Sequence, residues 1–268
     1  AVGPSALRSN TTASNNTAVG YQAAYSNTTG TPTTAFGYQA LYTNTTGSDN
    51  NAFGYAALKL NTTGAANCAF GHVSLDANTT GGNNAGFGQA TLSDNTTGQY
   101  NTALGSNALA NNTTASQNVA VGYQAGYSNT TAGNNVLIGY KSGYTGVTAT
   151  QVTGLGSNTL VSNTGSYNTG LGYGAMYANT SGASNTAVGV EALVSNTTAS
   201  YNTAVGYQAA YSNTTGGLNS SFGRGALYSN TTGASNVALG YETLYYNTTA
   251  SNNTAVGYQA GLSNTTGQ

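Results

Sequence analysis

Residues 16–30 read N-T-A-V-G-Y-Q-A-A-Y-S-N-T-T-G, and variants of this stretch recur along the whole chain. Its central glycine, Gly20, belongs to a series of sixteen glycines spaced 17 residues apart, with a single step of 16 between Gly156 and Gly172. A repeat this short forms one supersecondary unit that cannot bury its own apolar face, so neighbouring repeats must stack on each other. The sequence therefore predicts a solenoid of about sixteen 17-residue coils.

The predicted fold class is a repeat solenoid, mainly β. The N-T-A-V segment of each repeat has β-branched residues in near alternation, which predict a short strand in a parallel sheet. The residue before each glycine is always apolar, and the residue four positions after it is mostly Leu. We expect both positions to be buried as two stripes of a thin core. The Q-A-L-Y-S segment fits either a second strand or one turn of helix, because it is too short for periodicity to decide.

A further regular feature lies seven residues after the glycine, where most repeats carry Asn-Thr-Thr or Asn-Thr-Ser. Each such Asn fits the N-x-S/T acceptor rule for N-linked glycosylation, on a segment typical of a turn. We call these residues the sequon asparagines and predict covalent glycans on them, with no other cofactor. They are Asn10, Asn27, Asn44, Asn61, Asn78, Asn95, Asn112, Asn129, Asn179, Asn196, Asn213, Asn230, Asn247 and Asn264.

A second set, the ladder asparagines, lies four residues before the glycine, as at Asn50, Asn67 and Asn84. Stacked amides can hydrogen-bond from one coil to the next, so we expect this set to be structural and free of glycans. The same structural explanation stays open for the sequon asparagines, because Asn-Thr turns also suit the corner of a solenoid. The repeated middle Thr, which the acceptor rule leaves free, needs that explanation or a sugar on Thr itself.

Charge is scarce in this chain. Only 3% of the residues are charged and the net charge is −1, against about 25% charged residues in ordinary soluble domains. No basic patch is present, so nucleic acid is not an expected partner. No apolar run approaches the roughly 18 residues that predict a membrane span. Low charge reduces repulsion between chains and thus favours self-association into a homo-oligomer or fibre.

Residues able to perform chemistry are few. Cys68, His72 and Asp76 form the richest cluster, but a zinc site needs three or four converging ligands, and His72 stands where other repeats carry Tyr. Cys68 is the lone cysteine, so no intrachain disulfide can form. We expect no catalytic, cofactor-binding or metal-binding residues, and the chain is not predicted to be an enzyme.

The repeat makes residues 1–268 a single solenoid array, with a register defect expected around residues 141–172. This segment contains the 16-residue step, lacks a sequon at Gly146 and Asn163, and places Val152 where a ladder asparagine belongs. We expect a bulge or a change of twist there. Both ends of the sequence fall inside a repeat, so the chain is expected to be a segment of a longer array.

The N-T-A-V-G-Y-Q-A core at residues 16–23, 202–209 and 253–260 resembles the head repeats of trimeric autotransporter adhesins, and similar repeats occur in phage tail fibres. The resemblance covers the first half of each repeat. It implies a left-handed parallel β-roll, often trimeric, that serves surface adhesion. The present repeat is longer than the repeats of that family and adds the N-T-T turn.

Two functions from different classes fit these observations. The first is a structural component of an extracellular fibre or fibril at the cell surface, glycosylated on one turn of nearly every coil. The alternative is an adhesin or tail-fibre-like module that presents its Tyr and Thr columns to surface carbohydrates. Ice binding by threonine ladders is a third, lesser hypothesis.

Overall fold

The computed structural model describes residues 1–146 and 148–267 as a parallel β-solenoid divided into two units, Ala1–Asn134 and Asn135–Gln268. Each repeat after the first contributes one short strand, which confirms the predicted fold class. The first unit holds β1 (Thr17–Val19), β2 (Thr33–Phe36), β3 (Asn50–Phe53), β4 (Cys68–Phe70), β5 (Ala85–Phe87), β6 (Thr102–Leu104) and β7 (Val119–Val121). The second holds β8 (Val136–Ile138), β9 (Thr153–Leu155), β10 (Thr169–Leu171), β11 (Thr186–Val188), β12 (Thr203–Val205), β13 (Ser220–Phe222), β14 (Val237–Leu239) and β15 (Thr254–Val256).

Within each unit every strand pairs in parallel with the strand of the next repeat, and equivalent residues stand side by side. In the first unit Ala35 lies opposite Ala52, and Phe36 lies opposite Phe53. In the second unit Ala187 lies opposite Ala204. Because the register follows the repeat, each position of the repeat becomes a column of like side chains that runs from coil to coil.

The interior of the coil is filled by small strand residues and by the leucines of the opposite side. Ala35, Ala52 and Leu58 are fully buried. The prediction that the residue before the glycine is buried is wrong, because that residue points outward and Phe36 is 53% exposed. Side chains alternate across a strand, and a 17-residue coil is too narrow to enclose a leucine from one side and a second large residue from the other.

The segment after each glycine is a run of turns. Gln22 and Ala24 have positive φ angles of 53° and 49°. The Ala23 N–H donates to the Gly20 carbonyl within the coil (3.3 Å), whereas the Ala24 N–H donates to the Ala40 carbonyl of the next coil (2.9 Å). Neither the strand nor the helical turn considered for this segment is present in the described residues. Spacing of side chains cannot reveal a backbone whose φ alternates in sign.

The 16-residue step is absorbed at a corner and leaves the sheet regular. Thr153 of β9 stands opposite Thr169 of β10, as equivalent residues do elsewhere. The corner of this repeat is shorter than the corners of the other repeats. Its Asn163 side chain donates to the carbonyl of Gly165, which is only two residues further along the chain. A small cavity of about 10 Å³ lies near this corner. Its lining includes Leu137, Gly143, Gly146, Val152 and Asn163.

Candidate functional site

The sequon asparagines form a hydrogen-bonded column inside the coils. At Asn61 the side-chain Nδ2 donates to Asn44 Oδ1 (2.8 Å) and to the Gly64 carbonyl (2.9 Å). Asn61 Oδ1 in turn accepts a hydrogen bond from Asn78 Nδ2 (2.7 Å). Both amide protons and the amide oxygen of Asn61 are therefore used within the protein.

The fourteen residues predicted to carry glycans do not share one environment. Asn10 is exposed and Asn264 is half-buried. The other twelve are buried, at most 1% exposed: Asn27, Asn44, Asn61, Asn78, Asn95, Asn112, Asn129, Asn179, Asn196, Asn213, Asn230 and Asn247. A glycan on a buried Nδ2 would replace a hydrogen-bonding proton and would need the corner to open. Glycosylation stays a prediction, and this geometry weighs against the buried positions.

The ladder asparagines connect neighbouring coils through both ends of the amide. Asn67 Oδ1 accepts from the backbone N–H of Asn84 in the next coil (3.0 Å). Asn67 Nδ2 donates to the Gly81 carbonyl at the corner of that coil (2.8 Å). The prediction of a structural amide ladder is confirmed. Two asparagine columns therefore lie side by side in the interior and satisfy corner carbonyls that no strand could pair.

The two threonines of each N-T-T turn have different roles. The Thr62 hydroxyl donates to the Thr79 carbonyl of the next coil (3.0 Å), which accounts for Thr at the position that the glycosylation rule leaves free. Thr63, the residue that the rule requires, is exposed. Its backbone N–H also donates to the Thr79 carbonyl (3.2 Å). Within one turn the asparagine amide is enclosed while the second threonine hydroxyl lies at the surface.

The outer face of the sheet carries a continuous apolar column, formed by the residues that precede the repeat glycines. In the first unit Phe36, Phe53, Phe70 and Phe87 stack along this column, with ring centroids 4.5 to 6.2 Å apart. Leu104 continues the column and is 49% exposed. The equivalent column of the second unit is Ile138, Leu155, Leu171, Val188, Val205, Phe222, Leu239 and Val256. No strand of the described residues contains a charged side chain.

Tyrosine columns line the turn side of the coils. Tyr21, Tyr38, Tyr55 and His72 stack in sequence, with centroids 5.0 to 5.3 Å apart. The residues four positions further on form a second column, which in the second unit includes Tyr211, Tyr228 and Tyr245, 4.8 to 5.0 Å apart. The rings thus stack from coil to coil, one of the arrangements that the sequence left open.

One charged group on the turn side of the second unit has a perturbed pKa. Glu242 lies 2.8 Å from the Arg224 guanidinium and accepts a hydrogen bond from Gln259 Nε2 (3.0 Å). The hydrogen bond from Gln259, followed by those from Tyr241 and Arg224, lowers the pKa of Glu242. The hydrogen bond to Glu242 raises the pKa of Tyr241. Arg224 is exposed and the side chain of Glu242 is 20% accessible, so solvent screens the ion pair and it adds little to stability.

The residues of the Cys68 cluster lie on different surfaces. Cys68 is part of the outer strand face, where burial raises the pKa of its thiol. His72 stacks on Tyr55, and burial raises the pKa of Asp76. Among residues 1–146 and 148–267, no group of three or more His, Cys, Asp or Glu could hold a metal. The same residues include no helix with the length and apolarity to span a bilayer.

The exposure of the apolar column was not expected from the sequence, although the alternation of small and large residues in T-A-F and T-A-V carried that signal. A coil that is closed by Leu on one side has room only for Ala on the other. Comparison with protein families, with curated proteins and with solved structures finds no match.

Proposed function

We propose that the protein is a structural component of an extracellular fibre, in which copies of the chain associate through the apolar column of the sheet. The single observation that carries this proposal is the exposed Phe column of the first unit, from Phe36 to Phe87. Exposed apolar side chains are ordinary when they are scattered, but a contiguous patch is typical of an interaction surface.

The uncharged surroundings of the column support the same proposal. The outward strand residues beside the Phe column are Thr34, Asn51, Cys68 and Ala85. Strands β2 to β5, which present the Phe column, contain no charged side chain. A second copy could therefore bury the column without desolvating a charge, which removes the largest cost of forming such an interface.

Glycosylation of the N-T-T turns forms a separate part of the proposal. Each turn contains three side chains that could accept a sugar, and among Asn61, Thr62 and Thr63 only Thr63 is exposed. We propose that a sugar on the folded array is carried by this threonine and not by a buried sequon asparagine such as Asn61. Intact-mass measurement against the 26.7 kDa polypeptide detects any sugar. Peptide mapping then distinguishes the two residues.

Replacement of the apolar column tests the association. In the variant Phe36→Thr, Phe53→Thr, Phe70→Thr and Phe87→Thr, every changed side chain is on the outer face and Thr suits a strand. We expect the wild-type chain to form concentration-dependent oligomers in sedimentation velocity and fibres in electron microscopy. The variant should remain monomeric at concentrations at least tenfold higher.

The matched control removes aromatic rings from the turn side. Tyr21→Ser, Tyr38→Ser and Tyr55→Ser use the residue that other repeats already carry at this position, at Ser106 and Ser157. This control should assemble as the wild type does. A wild-type chain that stays monomeric at high concentration, or a Phe-column variant that assembles normally, would contradict the proposed role of this face.

A further inference from the structure

A cleft of about 160 Å³ opens on the turn side of the second unit. Its lining includes Tyr173, Gly174, Tyr177 and Val194. Asn158 and Glu191 complete its lining. These residues come from three successive repeats, so the cleft interrupts the regular columns of the turn side.

Two departures from the repeat create the cleft. Gly174 stands where Gln22, Gln39 and Gln208 stand in other repeats, and Val194 stands where many repeats have Tyr. Gly225 makes the same substitution three repeats away, but there a tyrosine covers the gap. A Cβ added to Gly225 would lie 3.1 Å from Tyr245 Cε2, whereas a Cβ on Gly174 would meet only Glu191 Cγ, at 3.6 Å.

The two tyrosines of the cleft differ from the stacked tyrosines of the regular columns. Tyr173 and Tyr177 are 53% and 45% exposed. In their columns the neighbouring residues are Ser157 and Val190 for Tyr173, and Val161 and Val194 for Tyr177. In the part of the chain that the structure describes, neither ring stacks on another, in contrast to Tyr211 and Tyr228.

Polar groups stand above and below this aromatic pair. Glu191 Oε2 accepts a hydrogen bond from Gln208 Nε2 (2.8 Å), which fixes the carboxylate and leaves Oε1 for a ligand. The half-buried Asn158 offers an amide on the other side. Aromatic faces combined with a carboxylate and an amide suit a ligand with apolar C–H faces and hydroxyl groups at its rim.

We infer that this cleft binds one pyranose ring of a neutral carbohydrate. The ring stacks against Tyr173 and Tyr177, and its hydroxyls donate to Glu191 and exchange hydrogen bonds with Asn158. The Glu191 carboxylate disfavours acidic sugars by repulsion. This activity goes beyond the fibre role, because the cleft lies on the turn side and not on the strand face. A shallow one-ring site implies a dissociation constant on the order of 1 mM.

Saturation-transfer NMR with the full chain tests this inference. The probes are maltotriose, cellotriose, mannotriose and lactose, with sialyllactose as the acidic counterpart. At least one neutral probe should receive saturation at its ring protons, and sialyllactose should bind at least tenfold more weakly than lactose. No transfer to any neutral probe, or equal binding of the acidic one, would overturn the inference.

Gly174→Gln provides the decisive variant, because it restores the side chain that other repeats carry. Gln22 adopts a φ of 53° and Gly174 a φ of 65°, so the change should leave the fold and the thermal midpoint unaltered. Affinity for the bound probe should fall at least tenfold, and Tyr177→Val, which copies Val161 and Val194, should do the same.

The control Ala56→Gln makes an equivalent change in the first unit and should bind like the wild type. Binding that survives both cleft variants would refute the site. Assembly of the Gly174→Gln variant is expected to equal that of the wild type, so failure of this inference is distinguishable from failure of the fibre proposal.

Discussion

Asn61→Ala separates the structural role of the sequon asparagines from a role in glycosylation. The substitution removes the donor to Asn44 Oδ1 and the acceptor of Asn78 Nδ2. The Gly64 carbonyl keeps a partner, because Asn50 Nδ2 also donates to it (2.7 Å). Two buried polar groups, the oxygen of Asn44 and one proton of Asn78, are therefore left without partners.

The magnitude follows from the cost of such orphaned groups. Each buried polar group that loses its partner costs about 1–3 kcal/mol, so the two together cost roughly 4 kcal/mol. For a chain of this size about 1 kcal/mol corresponds to 2–4 °C in the thermal midpoint. We expect Asn61→Ala to lower the midpoint, followed by circular dichroism, by about 8–16 °C.

Thr63→Ala is the matched control. It destroys the same N-x-T acceptor sequence but leaves all three hydrogen bonds of the Asn61 amide in place, since Thr63 is exposed. We expect its thermal midpoint to lie within about 2 °C of the wild type, which corresponds to a surface substitution of at most about 0.5 kcal/mol. Equal destabilisation by the two variants would refute the reasoning, because only their shared sequon could then explain the loss.

Three further predictions concern single positions. Gly54→Ala should destabilise the fold by about 3 kcal/mol or more in urea unfolding. Gly54 has a φ of 139°, and a Cβ there would lie 2.3 Å from the Gly71 carbonyl oxygen. A loss of unfolding free energy below about 1 kcal/mol would contradict this prediction. Gly146→Asn should raise stability by about 1 kcal/mol, since it fills the adjoining cavity and adds an acceptor for Asn163; an unchanged or lower urea midpoint would speak against it. The Cys68 thiol should react with Ellman's reagent with a pH midpoint above that of the urea-unfolded chain, because burial raises its pKa and so reduces the thiolate fraction at a given pH; coinciding pH profiles would exclude this shift.

Much of the fold could be read from the spacing of the glycines and from the Leu position. Leu58 and Leu75 are fully buried as expected, and the ladder role of Asn67 and Asn84 was apparent from their position before the strand. These features repeat in every coil, so comparison of the repeats within one chain reveals which side-chain property each position needs.

The orientation of the strand and the environment of the sequon asparagines could not be read in the same way. Phe53 and Ala52 are both apolar, and only the width of the closed coil decides that Ala52 faces inward. Asn61 fits an acceptor sequence as well as a buried amide column, and the two differ only in whether the corner closes over the side chain. Both questions concern the cross-section of the coil. The alternation of small and large residues in the strands is an indirect signal for the first question, and the sequence contains no signal for the second.

The asparagine column has a consequence for how the number of repeats can change. In the first unit every hydrogen bond of the column runs in the same sense, from Asn44 to Asn27, from Asn61 to Asn44 and from Asn78 to Asn61. Insertion or deletion of one whole repeat therefore adds or removes one donor together with one acceptor and leaves no amide orphaned. Unequal recombination between such similar gene segments would yield chains of different length with equally satisfied interiors. Selection can thus adjust the reach of the array in whole-repeat steps without a compensating mutation elsewhere.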